Sequence, residues 1–172
     1  MPSLQQFRSY FMSLCTPHPI WTSAGCSQFE VRKATIQARM LSGRYRTCWM
    51  RRHWSGDPTG SCRVPGCSGE PGTLKHMVTG ECSGLKSALI KATSAWSSFL
   101  KVHSVLVLHV QHYTLGDQDV FLSFLLDPTT LPAVIVLSQE YGPAIRDQLC
   151  YMTRTWLYCM HKERLKLLKL WK

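Results

Sequence analysis

Residues 62–82, CRVPGCSGEPGTLKHMVTGEC, leave this chain the fewest choices of fold. The stretch is too rich in glycine and proline to persist as helix or strand, yet it holds three of the chain's eight cysteines. Its spacing resolves that conflict. Four residues separate Cys62 from Cys67, eight separate Cys67 from His76, and five separate His76 from Cys82. Two cysteines on a turn that Pro65 and Gly66 fold back can aim their sulfurs at one point. A histidine on a short helix and a cysteine just past it complete a tetrahedron. A bound Zn²⁺ explains how so broken a segment stays ordered, because structural zinc contributes roughly 10–16 kcal/mol in small peptides at neutral pH. With all four positions filled by protein, no water remains to be activated, so the expected role is structural. Two other readings stay open at this stage: unpaired loop thiols beside a surface histidine, or replacement of one ligand by Cys26, or by Cys48 with His53.

The remainder of the chain is long enough to build its own core. The full chain has 172 residues, 45% apolar and 17% charged, which fits one domain of ordinary composition and excludes disorder as the overall state. No apolar run approaches the roughly 18 residues needed to cross a bilayer. The first twenty residues make a poor secretory signal, so an intracellular setting, nuclear or cytoplasmic, is expected. There, clustered Cys and His are more plausibly metal ligands than disulfides.

The periodicity is mainly helical. Leu4, Phe7, Phe11 and Leu14 predict a short N-terminal helix, followed by an extended connector to residue 27. In "SQFEVRKATIQARMLSGRYRTCWMRRHW", Val31, Ala34, Ala38, Leu41 and Tyr45 predict a second helix that runs through Gly43. Thr73 caps "LKHMV" and Gly80 closes it; Ser83 is expected to cap the next helix, whose apolar positions include Leu85, Ala88, Leu89, Ala92, Trp96 and Phe99. "VHSVLVLHVQHY" fits a buried helix or a buried strand, with helix favoured by its neighbours. Asp117 starts and Pro128 stops a further helix, and Pro132 and Gly142 bound another. From Pro143 onward, Ile145, Leu149, Met152, Trp156, Cys159 and Met160 mark an amphipathic helix with a basic end. Its leucines and lysines suit a membrane surface or a core-facing helix equally well. The expected fold is thus mainly α, an irregular helical domain over residues 28–172 with a zinc-knuckle loop at 62–82, preceded by residues 1–27.

A formal net charge of +10 and a pI near 9.4 suit a polyanionic partner. The charge is segmental: between Arg32 and Arg52 stand seven basic residues and no acid, whereas residues 102–145 carry four acids and no Lys or Arg. On a continuous helix Arg32, Arg39 and Arg46 recur every seven residues, along one side opposite the apolar stripe. With Lys33, Arg44, Arg51 and Arg52 they form a candidate phosphate-contacting surface, and Tyr45, Trp49 and Trp54 are interleaved as stacking rings or as core. A merely solvated face is the competing reading. Cys15, Cys150 and Cys159 read as core thiols, and His103, His109 and His112 as core or edge residues rather than a second metal site. The chain has no Tyr-x-Asp-Asp, GxSxG, P-loop or HExxH motif, so no catalysis and no small-molecule substrate are expected.

"HPIWTSAGCSQFEVRKATIQARMLSGRYRTCWMRRHWSG" followed by the Cys, Cys, His, Cys set resembles the region downstream of the reverse transcriptase in LINE-type, non-LTR retrotransposon polyproteins. The resemblance continues through "FLLDPTTLPAVIVLSQEYGP" and "YMTRTWLYCMHKERLKLL". It implies a zinc-knuckle domain that engages element RNA and target DNA during reverse transcription, with Cys62, Cys67, His76 and Cys82 as its ligands. It also implies a piece detached from polymerase and endonuclease, whether remnant, truncated gene product or co-opted fragment. A helical module that docks on a reverse transcriptase core, or a decayed fragment without selected activity, is the alternative.

Overall fold

The computed structural model describes residues 18–48, 59–102 and 117–169. The N-terminal helix expected at Leu4–Leu14, Cys15, the stretch from His103 to Tyr113, and Trp49, Trp54, Arg51, Arg52 and His53 lie outside the described residues. Among the described residues the fold is helical and contains no sheet; the one β-type feature is an isolated antiparallel bridge between Ser61 and Pro71. The helices are α1 (Pro19–Thr22), α2 (Gln28–Leu41), α3 (Leu74–Val78), α4 (Lys86–Val102), α5 (Gln118–Leu126), α6 (Pro132–Tyr141) and α7 (Ala144–Leu167). Turns of 3-10 helix at Ser83–Leu85 and Pro128–Thr130 precede α4 and α6.

Residues 18–27 do not form the extended connector expected of them. Pro19 sits in the first turn of α1, where its missing N–H costs nothing, and the His18 side chain accepts the Ile20 amide as a cap. Ile20 and Ala24 then pack on Ala34 of α2. α2 also ends earlier than its periodicity suggests. Gly43 adopts φ +70° directly after the Ser42 cap, and its amide bonds the Met40 carbonyl. A glycine in the left-handed region terminates the helix rather than weakening it. Tyr45 and Arg46 consequently leave the helical face.

The inward side of α2 is Lys33, Ala34, Ile36, Gln37 and Met40, one step round from the expected stripe, while Val31 faces solvent. Burial of its two polar residues depends on remote partners. The Gln37 amide donates to the Leu125 and Leu126 carbonyls and to Thr153, each at 3.1 Å, and so caps the end of α5. Lys33 Nζ lies 2.8 Å from Glu30, whose other oxygen takes Arg154 Nε at 2.9 Å. Burial alone would raise the Glu30 pKa, but hydrogen bonds from Lys33 and Arg154 outweigh it and hold the carboxyl below its usual range.

The longest element, α7, touches every other helix described. It is buried on most of its circumference, as a central rod requires. Its Trp156 meets Trp96 of α4 edge-on at 4.7 Å, and Trp96 stacks against Phe121 and Phe124 of α5. These rings supply much of the apolar surface removed from water. The Trp156 indole N–H donates to the Val78 carbonyl at 2.9 Å, which fastens α3 to the core. No helix of the described residues is long and apolar enough to cross a membrane.

Candidate metal centre and basic face

The loop before α3 is closed by its backbone. The Cys62 amide donates to Glu70 O at 2.8 Å and the Gly72 amide to Gly60 O at 2.9 Å, which draws the two ends of the loop together. Between them Val64, Pro65 and Gly66 turn the chain so that the Cys67 amide reaches Val64 O at 3.1 Å, with Gly66 at φ +81°. Thr73 Oγ1 accepts the His76 amide and starts α3, and one turn later the chain reverses at Gly80. The Cys82 amide then returns to His76 O at 3.0 Å. Ser83 does not cap the following helix. Its hydroxyl donates to Gly66 O at 2.7 Å and ties the exit of the loop to its first turn.

This folding brings one donor atom each from Cys62, Cys67, His76 and Cys82 within 4.8 Å of one another. Cys62 Sγ lies 3.7 Å from Cys82 Sγ, and Cys67 Sγ lies 3.3 Å from His76 Nε2. The cysteines are free, and the four donors can hold one metal ion. His76 and Cys82 are buried and the two turn cysteines half-exposed, so the site is anchored from its core side.

The electrostatics of the cluster differ from thiol to thiol. Burial and the adjacent Cys62 push the Cys82 thiol up to about 12. Burial raises Cys62 as well, against the Val64 amide that favours its thiolate. At Cys67 burial is outweighed by the Gly69 amide and neighbouring donors, and its pKa falls. Backbone amides thus favour one thiolate, while assembling three demands a cation. On the far side of the imidazole, His76 Nδ1 lies 3.2 Å from the exposed Glu70 Oε2 without hydrogen-bond geometry, while Nε2 faces Cys67 Sγ. Sequence reasoning missed Glu70, although a carboxylate in the same loop as a candidate histidine ligand is a usable signal.

Cys48 is near this cluster but outside it. Its side chain packs against Gly72, where a Cβ would sit 2.6 Å from Cys48 Cβ, while its sulfur faces Arg164 Nη2 at 3.8 Å. Cys26 is exposed. Neither replaces one of the four.

The basic residues divide. Arg32, Arg39, Arg44 and Arg46 are exposed. Lys33 is not part of that surface: it is buried, paired with Glu30, and lies 4.5 Å from the Phe29 ring centre. Tyr45 is buried too, so its ring packs inside rather than offering a stacking platform. Arg39, Arg44 and Arg46 share a cleft with Arg164 and His161 of α7, two residues that sequence reasoning did not assign to this surface. Cys150 is a fully buried core thiol, as expected, and Cys159 is half-buried. No family model, no curated protein and no solved structure matches this chain.

Proposed function

We propose that this chain is a zinc-stapled, non-catalytic domain that binds nucleic acid, of the kind found after the polymerase in LINE-type retrotransposon proteins. The observation that carries the reading is the closed four-donor cluster beside an arginine-bearing face. For Zn²⁺, bond lengths of about 2.3 Å to sulfur and 2.0 Å to nitrogen in a tetrahedron imply roughly 3.8 Å between sulfurs and 3.5 Å between sulfur and nitrogen. The distances of 3.7 and 3.3 Å are close to both. Three sulfurs and an imidazole suit zinc better than the oxygen-seeking Mg²⁺ or Ca²⁺. Four protein ligands also leave no place for a reactive water, which supports a structural ion.

Two other groups with catalytic potential are engaged in structure. His18 accepts the Ile20 amide at Nδ1 and meets Asp127 at 3.0 Å through Nε2. The Cys150 thiol is held protonated by burial and by Asp127. Exposed Arg32, Arg39, Arg44 and Arg46 supply a positive surface for phosphates, a sequence-independent attraction that weakens with salt. A second reading, docking on a reverse transcriptase core, draws on exposed Ile135 and Val136 of the acidic middle segment.

Metal analysis and a nucleic-acid titration at two salt concentrations test the proposal together. One zinc per chain and an affinity that drops steeply with salt are expected. A chain that purifies without metal, or ignores both RNA and DNA oligonucleotides at low salt, overturns it.

A further inference from the structure

Two arginines of α7 are almost wholly buried, and their surroundings differ. Arg154 is fully provided for: its Nε meets Glu30 at 2.9 Å, while Nη2 and Nη1 donate to the carbonyl and hydroxyl of Ser23 at 2.8 and 2.5 Å. Arg164, only 5% exposed, has no carboxylate within ion-pair distance among the described residues. Its contacts are long ones, to Tyr45 Oη at 3.4 Å and Cys48 Sγ at 3.8 Å, with the guanidinium carbon 5.8 Å from the Tyr45 ring centre. A buried guanidinium without a counter-charge is costly, and the cost is removed when an anion reaches it.

Arg164 lines a cleft of about 370 Å³ with Arg39, Arg44 and Arg46, and among the described residues no carboxylate contributes to the lining. The field there is strongly positive. Burial, then the charges of Arg164 and Arg39, push the His161 pKa down to about 4, while its Nδ1 meets Tyr45 Oη at 2.8 Å. We infer that this cleft is a phosphate-binding subsite in which Arg164 is the buried anchor and Arg39, Arg44 and Arg46 close on the oxygens from the rim. A phosphate offers several strong acceptor oxygens in one place, matched to converging guanidinium forks. The source of the phosphate, an internal diester or a terminal monoester of a strand, rests on the nucleic-acid reading above; the cleft's affinity for the anion does not.

The test uses the full chain and three variants: Arg164→Gln, Arg46→Gln on the rim, and Arg32→Gln on the same basic face but outside the cleft. Fluorescence anisotropy follows single-stranded oligonucleotides with and without a terminal phosphate, and phosphorus NMR follows inorganic phosphate alone. Thermal melts identify any variant that fails to fold, in which case Arg46→Gln stands in for Arg164→Gln. Loss of a charged hydrogen bond predicts roughly ten- to hundredfold weaker binding for Arg164→Gln. Arg32→Gln should cost far less, and phosphate line-broadening should vanish only in the cleft variants. A tighter complex with the phosphorylated oligonucleotide assigns the monoester, and equal affinities assign the diester. Equal losses for Arg32→Gln and Arg46→Gln would overturn the subsite and leave diffuse nucleic-acid binding standing. Phosphate bound without oligonucleotide binding supports the subsite and defeats the nucleic-acid reading; neither ligand binding defeats both.

Discussion

Gly84 shows how little space the metal loop leaves. A Cβ there would collide with the Pro65 carbonyl oxygen and come within 2.6 Å of Val64 Cγ1. We expect Gly84→Ala to cost roughly 1–3 kcal/mol and to weaken metal retention, measured by thermal melts and a competing chelator; unchanged values would mean that the turn moves aside freely. His161 supplies a pH signature. Its folded pKa, about 4, lies below its ordinary value near 6.5, so the unfolded chain takes up the proton first as pH falls. The stabilisation from keeping this ring neutral is complete above about pH 6.5 and is lost progressively towards pH 4. Denaturant midpoints across that window should therefore fall more steeply for the parent chain than for His161→Gln. Asp127 behaves similarly at lower pH. Burial raises its pKa, but His18 and Thr129 outweigh burial and lower it, so its contribution is present above its unfolded pKa and disappears as pH falls through the folded one. The four-donor cluster was legible because one short segment holds all of it. Gln37 and Arg164 were not, because their partners lie more than eighty positions away, nor was Lys33, whose pairing with nearby Glu30 is buried under Thr155 and Arg154 of α7.

At the level of elements, the readable signals were starts and stops with local chemistry. Thr73 and Gly80 around α3, Asp117 and Pro128 around α5, and Pro132 and Gly142 around α6 all act as their residue types require. Ser83 misled because it lies inside the first turn, with Cys82 in the cap position, and its hydroxyl turns back to donate to Gly66 O. The end of α2 was misplaced for a different reason. Apolar periodicity continued through Tyr45, but a glycine with positive φ outranks periodicity. Nothing lies within 4 Å of a Cβ at Gly43, so Gly43→Ala isolates the backbone effect. It should lower stability by about 1 kcal/mol, read from chemical denaturation. A neutral result would show that the helix tolerates extension towards Arg46.

For the whole molecule, the mainly helical class and the loop inserted before α4 could be read from sequence, whereas the central place of α7 could not. Amphipathic spacing says that a helix has a buried side, not how many neighbours compete for it. Because α3 joins the core through the Trp156 indole and Val78, loss of metal should propagate beyond the loop. Chelation is expected to lower the melting temperature by about 10 °C or more, given several kcal/mol of metal-dependent stability and roughly 2–4 °C per kcal/mol for a chain this size. Zinc should restore it. A melt insensitive to chelator would separate the loop energetically from the helices.

The Cys48 side chain, sulfur included, lies against Gly72 of the candidate metal loop, and the same sulfur is 3.8 Å from Arg164 Nη2 of the cleft. This one side chain therefore touches both compartments, and a shift on either side is expected to reach the other. Coupling across such a wall is reciprocal: an anion that steadies the guanidinium should slow escape of the ion, and stripping the ion should loosen the grip on the anion.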